Sequence, residues 1–231
     1  MESKTPSSPS DVREMFNKIS PTYDLMNRIL SLGQDLRWRK KVARHLPFKP
    51  HLEILDLATG TGDQLAAIFR SGISIYKAVG IDVAEEMLSI GRKKLSSFPQ
   101  AVELLQADAE ALPFASDRFD AATFSFGIRN VANPEIALAE IHRVLKPGGR
   151  CLILEFSMPP RYIRPFFLFY LRKILPRLGG WLSKQFEAYR YLNQTIESFP
   201  SGEAFLSLLR KAGFANLRKH SMNCGSVTLY I

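Results

Sequence analysis

Over residues 52–63 the chain reads Leu52-Glu53-Ile54-Leu55-Asp56-Leu57-Ala58-Thr59-Gly60-Thr61-Gly62-Asp63, an apolar run that ends on an acid and passes into a turn punctuated by glycine. Few folds accommodate such a segment. The run predicts a buried strand, and Gly60 and Gly62 can take up positive φ and let backbone approach a ligand closely. A helix opening near Asp63 would turn its free N–H groups toward whatever rests on the turn. The segment therefore implies a strand-turn-helix unit with a nucleotide-type ligand at the strand's carboxyl end, or, read without a ligand, an ordinary corner of an α/β sheet.

The spacing distinguishes between ligands. A dinucleotide fingerprint, G-x-G-x-x-G, needs a third glycine at position 65, where Leu65 stands. What is present is D-x-x-x-G-x-G with Asp56 at the strand end, and Asp82, twenty residues after Gly62, closes a second apolar strand at Ala78-Val79-Gly80-Ile81-Asp82. An acid there can bridge two ribose hydroxyls. A further carboxylate at Asp56 would repel a pyrophosphate and favour a ligand carrying positive charge, such as S-adenosylmethionine with its α-amino group and sulfonium.

Around this unit strands and helices alternate. Strands are expected at 52–57, 77–82, 102–107, 119–125 and 150–156, with helices near 63–71, 84–96 and 134–145. Such alternation means right-handed crossovers and a parallel sheet covered on both faces. A helix over 201–212 stops at Gly213, and two last strands near 215–222 and 226–231, joined by Asn223-Cys224-Gly225, predict an antiparallel edge. The expected fold is α/β: a Rossmann-like class I methyltransferase arrangement with a mostly parallel seven-stranded sheet and an antiparallel edge strand. Residues 1–10, rich in Ser and Pro, read as a disordered tail, and 11–231 as a single domain. Val12, Met15, Phe16 and Ile19 fall at helical spacing and open a helical lid over 11–50. Residues 158–200 form an insertion such a sheet does not need. Its segment 161–177 is basic and aromatic, which reads either as a cap helix packed on the domain or as a surface for a membrane interface or a long apolar substrate.

Charge supports an anionic partner: 31 Lys and Arg against 22 Asp and Glu give +9, gathered at Arg37-Trp38-Arg39-Lys40-Lys41 and again from Arg161 to Lys184. The two cysteines, Cys151 and Cys224, are far apart and the four histidines are scattered, so neither a disulfide framework nor a metal site is expected. No apolar run of about twenty residues is present to span a bilayer.

Ligands of an open α/β sheet bind at the carboxyl ends of its strands. Following those ends gives Gly60, Thr61 and Gly62, then Asp82, then Asp108 with Ala109, then Ser125-Phe126-Gly127. Asp108 can accept from an adenine amino group while the Ala109 N–H donates to a ring nitrogen, and Ser125 would lie beside the methionyl part.

Two longer segments carry a resemblance. Tyr23-Asp24-Leu25-Met26-Asn27-Arg28-Ile29-Leu30-Ser31, continuing to Trp38, and Arg143-Val144-Leu145-Lys146-Pro147-Gly148-Gly149-Arg150, continuing to Glu155-Phe156-Ser157, resemble the two signatures of the menaquinone and ubiquinone biosynthesis C-methyltransferases. The likeness extends through 109–114 and 125–131. It implies methylation of a ring carbon of a polyprenylated quinol by S-adenosylmethionine, with cofactor contacts at Thr61, Asp82, Asp108, Ala109 and Ser125. It also allows a homodimer. The widely separated cysteines point to the cytoplasm, the basic aromatic insertion to a peripheral hold at the inner face of the membrane, and the lack of an appended RNA-binding module to no nucleic-acid partner. One departure stands at Asp35, where the family usually has His three residues before the Trp. Ionising the ring hydroxyl, taken as phenol-like, costs about 4 kcal/mol at pH 7. Arg129 and Asn130, just past the fourth strand, suit stabilisation of that oxyanion, and Tyr23 with Asp24 and Asn27 suits orientation of the ring. The rival readings on this fold are an RNA methyltransferase and a non-catalytic cofactor-binding subunit.

Overall fold

Burial identifies the middle of the sheet. Of β1 (Leu52–Leu57) only Glu53 is less than buried, and β4 (Phe119–Ser125) is buried throughout. The two pair in parallel, Ile54 against Ala121 through Leu57 against Phe124. On one side of them lie β2 (Ile75–Asp82) and β3 (Val102–Gln106); on the other lie β5 (Leu145–Phe156), β7 (Val227–Tyr230) and β6 (Lys219–Met222). The order is β3-β2-β1-β4-β5-β7-β6 in a computed structural model that describes residues 8–98, 101–183 and 186–231. The strand order reverses between β1 and β4, and a crevice opens there at the carboxyl ends.

The expected mostly parallel seven-stranded sheet is present, with one refinement at its end. The antiparallel strand is β7, paired to β5 on one side and to β6 on the other, so β6 and not the antiparallel strand is outermost. The turn between them, Asn223, Cys224 and Gly225, takes positive φ at all three residues, as a tight reversal requires.

Strand alternation divides the core. Leu55 and Leu57 pack on one face with Val79, Phe124, Ile141 and Phe205, while Leu52 and Ile54 pack on the other with Leu65, Ile68, Leu152 and Trp38. The covering helices include α4 (Asp63–Phe69), α5 (Glu85–Lys94), α6 (Pro134–Val144) and α10 (Glu203–Lys211).

Above the crevice lies the lid: α1 (Pro9–Ile19), α2 (Tyr23–Leu30) and α3 (Gln34–Ala43). Residues 8–10, expected to belong to a tail over 1–10, instead open a helix. Ser8 Oγ accepts the Asp11 N–H at 3.2 Å while the Asp11 carboxylate accepts the Ser8 N–H at 3.1 Å, and this reciprocal cap starts α1 at Pro9. Residues 1–7 lie outside the described residues, as do Lys184 and its neighbour at 185 within the insertion. The insertion is helical: α7 (Arg164–Phe169), a π-helical turn at Tyr170–Ile174, α8 (Leu175–Ser183) and α9 (Phe186–Ser198). Leu171, Leu175, Tyr189 and Ile196 bury against Met26 of α2, so insertion and lid share one small core. Among the described residues no helix is long and apolar enough to cross a membrane.

Candidate active site

The glycine turn is built on Asp56. Its carboxylate is buried, and both oxygens are taken by hydroxyls: Thr59 donates at 2.6 Å and Thr123 at 2.5 Å. Asp56 therefore braces the turn against β4 from below and does not face a ligand. Burial pushes its carboxyl up to about 6, against the lowering effect of the two hydroxyls. Backbone strain gathers at the same place, with Ala58 at φ 45° and Phe126 at φ 59°, both at strand ends bordering the crevice. Between them Gly127 is required by space, because a Cβ there would stand 2.5 Å from the Ala58 Cβ.

Asp82 secures the turn from the other side. One carboxylate oxygen accepts the Gly60 N–H at 2.8 Å and the other the Ala84 N–H at 2.9 Å. Burial raises its pKa, opposed by those N–H groups. Each oxygen retains acceptor capacity for a diol.

Gly60, Asp82, Asp108, Ala109, Ser125, Asn130 and Tyr23 line one cavity of about 260 Å³ at the strand ends, walled above by Arg13 and Phe16 of α1. Thr61 and Gly62 line neither this cavity nor the next one. The Thr61 hydroxyl donates to Asp24 at 2.6 Å and accepts from Lys94 at 3.0 Å, and Gly62 heads α4 at φ 79° against Leu95. Ser125 Oγ donates to the Gln64 side chain at 3.0 Å.

A second cavity of about 450 Å³ lies between lid, insertion and the end of β4. It shares Phe16, Tyr23, Phe126 and Asn130 with the first, so these four residues form the boundary between them. Arg129 lines the second cavity only. Its guanidinium pairs with buried Glu155 at 2.6 Å, donates to the Phe126 carbonyl at 2.8 Å and lies over the Phe156 ring. Burial raises the Glu155 pKa and the Arg129 charge opposes that rise. The Tyr23 phenol is raised by burial, against the lowering influence of Arg39 and Asn27. Asn27 lines the second cavity, but Asp24 lines neither.

Asp24 belongs instead to an ionic clasp. Lys94 of α5 reaches Asp24 of the lid at 2.5 Å and Asp63 of α4 at 2.6 Å, Arg28 reaches Asp63 at 2.9 Å, and Arg28 also pairs with Asp35. Asp35 thus replaces the family's usual histidine with the buried partner of a lid arginine, and it accepts from Ser31 Oγ at 2.9 Å. Burial would raise the Asp63 pKa, yet Arg39, Lys94 and Arg28 together lower it. The sequence reading missed this clasp, which joins side chains from four helices. It also missed Arg39 as a site residue: in a run of five basic and aromatic residues nothing marks which arginine turns inward.

A profile of the ubiE/COQ5 methyltransferase family matches residues 3–231. The chain belongs to that family. A relative named "Ubiquinone/menaquinone biosynthesis C-methyltransferase UbiE" from Geotalea daltonii is 42% identical over 95% of this chain and 94% of its own length. Another, "Demethylmenaquinone methyltransferase" from Thermus thermophilus, is 44% identical over 94% of this chain and 98% of its own. Among solved structures, a SAM-dependent methyltransferase from Aquifex aeolicus shares the fold at a TM-score of 0.62 and 20% identity, covering 97% of this chain and 98% of that one.

As a member of the ubiE/COQ5 family the chain is an S-adenosylmethionine-dependent methyltransferase. The first cavity fits that cofactor chemically: Asp82 offers acceptors for a ribose, and Asp108 and Ala109 stand at the next strand end for an adenine. The strained turns at Ala58 and Phe126 frame the space beside Ser125.

Proposed function

We propose that this enzyme methylates a ring carbon of a polyprenylated quinol, with demethylmenaquinol as its first substrate and the methoxy-polyprenyl-benzoquinol of the ubiquinone route as a second. The observation that carries the reading is the second cavity. Tyr23 and Asn130 bring polar groups to its boundary with the cofactor cavity, beside Phe16 and Phe126, and most of the remaining wall is apolar, with Leu30, Phe167, Leu171, Leu175 and Leu192 among it. A ring with oxygens at one end and a prenyl tail at the other matches that polarity, and the names of the close relatives agree with it.

Gly60, Asp82, Asp108, Ala109 and Ser125 would hold the cofactor. When bound, S-adenosylmethionine supplies an electrophilic methyl group. The protein's own part is to align the ring carbon and to favour the ionised quinol, a step that costs about 4 kcal/mol at pH 7 if the hydroxyl is phenol-like. Tyr23, with its raised pKa, stays protonated and can donate its phenolic proton in a hydrogen bond to a ring oxygen. The Asn130 amide serves beside it, and Arg129, fixed by Glu155, shapes the ring end of the cavity.

The cavity rim suggests how a lipid-borne substrate arrives. Leu32 and Leu178 line the second cavity and are 89% and 42% exposed. On the same insertion Tyr162, Phe166 and Phe169 are exposed among Arg161, Arg164, Lys173 and Arg177. We read this face as resting on the inner surface of the cytoplasmic membrane, with residues 11–231 working as one domain. Incubating the protein with S-adenosylmethionine and reduced demethylmenaquinone, with mass detection of the product, tests the function. Cofactor binding without any gain of a methyl group on the quinol would sink the proposal.

A further inference from the structure

Arg39 is a buried guanidinium at this site that has no ion pair among the described residues, whereas Arg13 at the cofactor cavity is exposed. Arg39 projects from the inner side of α3, where Trp38, Arg39, Val42 and Ala43 are buried while Arg37 and Lys40 are exposed. Only 6% of it is exposed, and it lines the second cavity. The guanidinium lies 5.6 Å from the centre of the Phe126 ring, and its buried Nε has no hydrogen-bond partner. A buried charge in that state is costly, and proteins ordinarily pair it.

The acids around it are all committed elsewhere. Asp35 holds Arg28 and Ser31, Asp63 holds Arg28 and Lys94, Asp56 holds Thr59 and Thr123, and Glu155 holds Arg129. Asp56, Asp63 and Tyr23 feel the Arg39 charge without engaging its donors. Arg129 faces the same cavity, but Glu155 already neutralises it.

We propose that Arg39 is the anion-binding side chain of this active site, its fork of donors reserved for an oxyanion that the reactants bring. The proposal rests on the methyl-transfer reading and adds to it the residue that supplies uncancelled positive charge. Phe126, under the guanidinium, borders both cavities, so the oxyanion can come from either ligand: the methionyl carboxylate of the cofactor or the ionised ring hydroxyl of the acceptor. A planar guanidinium suits both.

The test uses the full chain, Arg39→Met and, as a polar control, Arg39→Gln. In one arm, calorimetry compares S-adenosylhomocysteine with its decarboxylated analogue. In the other, 1-naphthol is titrated in the presence of S-adenosylhomocysteine, and its ionisation is followed by absorption of the anion. If the carboxylate is the partner, the wild type prefers the carboxylated ligand by about a hundredfold and Arg39→Met abolishes the preference. If the ring oxygen is the partner, the wild type shifts bound 1-naphthol toward its anion by about tenfold or more and Arg39→Met does not. In either case Arg39→Met should unfold at higher urea than the wild type, since it removes a buried charge that has no direct ion pair; a structural arginine would give the opposite sign. The proposal is overturned if both folded variants keep both ligand preferences, or if Arg39→Met loses stability while binding unchanged. Should wild type fail to bind 1-naphthol at all, the quinol reading of the second cavity falls, and Arg39 is judged on the carboxylate arm.

Discussion

Asp56 shows how a residue can be prominent in sequence and yet act one layer beneath the site. The folded carboxyl titrates near 6 and the free one at 3.8, so the folded state holds the extra proton between those values. Its stabilising contribution is therefore full below about pH 4 and is lost as pH rises through about 6, a change of about 3 kcal/mol. In Asp56→Asn that component is absent, and the difference in urea unfolding free energy between wild type and variant should change by about this amount from pH 4 to pH 7. A difference that stays flat would refute the burial argument. Gly60 and Asp82 were legible because strand, helix and strand set their separation. Asp56 was legible as a strand-end acid but not in its orientation, which depends on Thr123 from a strand distant in sequence. Arg39 was hidden for the reason that hides most buried charges: composition counts a cation without saying which way it points.

At the level of elements, the pair formed by Arg129 and Glu155 ties the turn after β4 to the end of β5. Arg129→Ala would leave Glu155 buried and unpaired, and should cost about 3–5 kcal/mol of stability in urea unfolding. Adding Glu155→Ala should recover part of that loss; strictly additive losses would show that the two do not act as a pair. Strand and helix positions along the sheet were readable from hydrophobic period and glycine placement. The order of the last two strands was not, because which of a hairpin's strands pairs with β5 depends on where the chain returns after α10. The ionic clasp from Lys94 to Asp24 and Asp63 was equally unreadable, since it needs the lid already docked.

For the whole molecule, the +9 net charge and the exposed aromatics of the insertion point the same way. A basic residue near an anionic surface contributes about 1 kcal/mol. Sedimentation with vesicles containing anionic phospholipid should pull the protein down at low salt, and Phe166→Ser with Phe169→Ser should weaken that binding several-fold without changing cofactor affinity. Binding to single-stranded RNA instead, with no vesicle binding, would favour the rival reading. Fold class was readable at this scale because the sheet's alternation is local; the joint core of lid and insertion was not, because its residues come from segments far apart in the chain.

The wall of the cofactor cavity includes Val12, Arg13 and Phe16, all from α1, a helix secured at its start by the Ser8 and Asp11 cap. Ligand affinity and the folding of that terminal helix are consequently one linked equilibrium. Saturating S-adenosylhomocysteine should slow amide hydrogen exchange across residues 9–19 more than in the sheet, and removing the cap with Ser8→Ala should raise the cofactor's dissociation constant although Ser8 itself does not line the cavity.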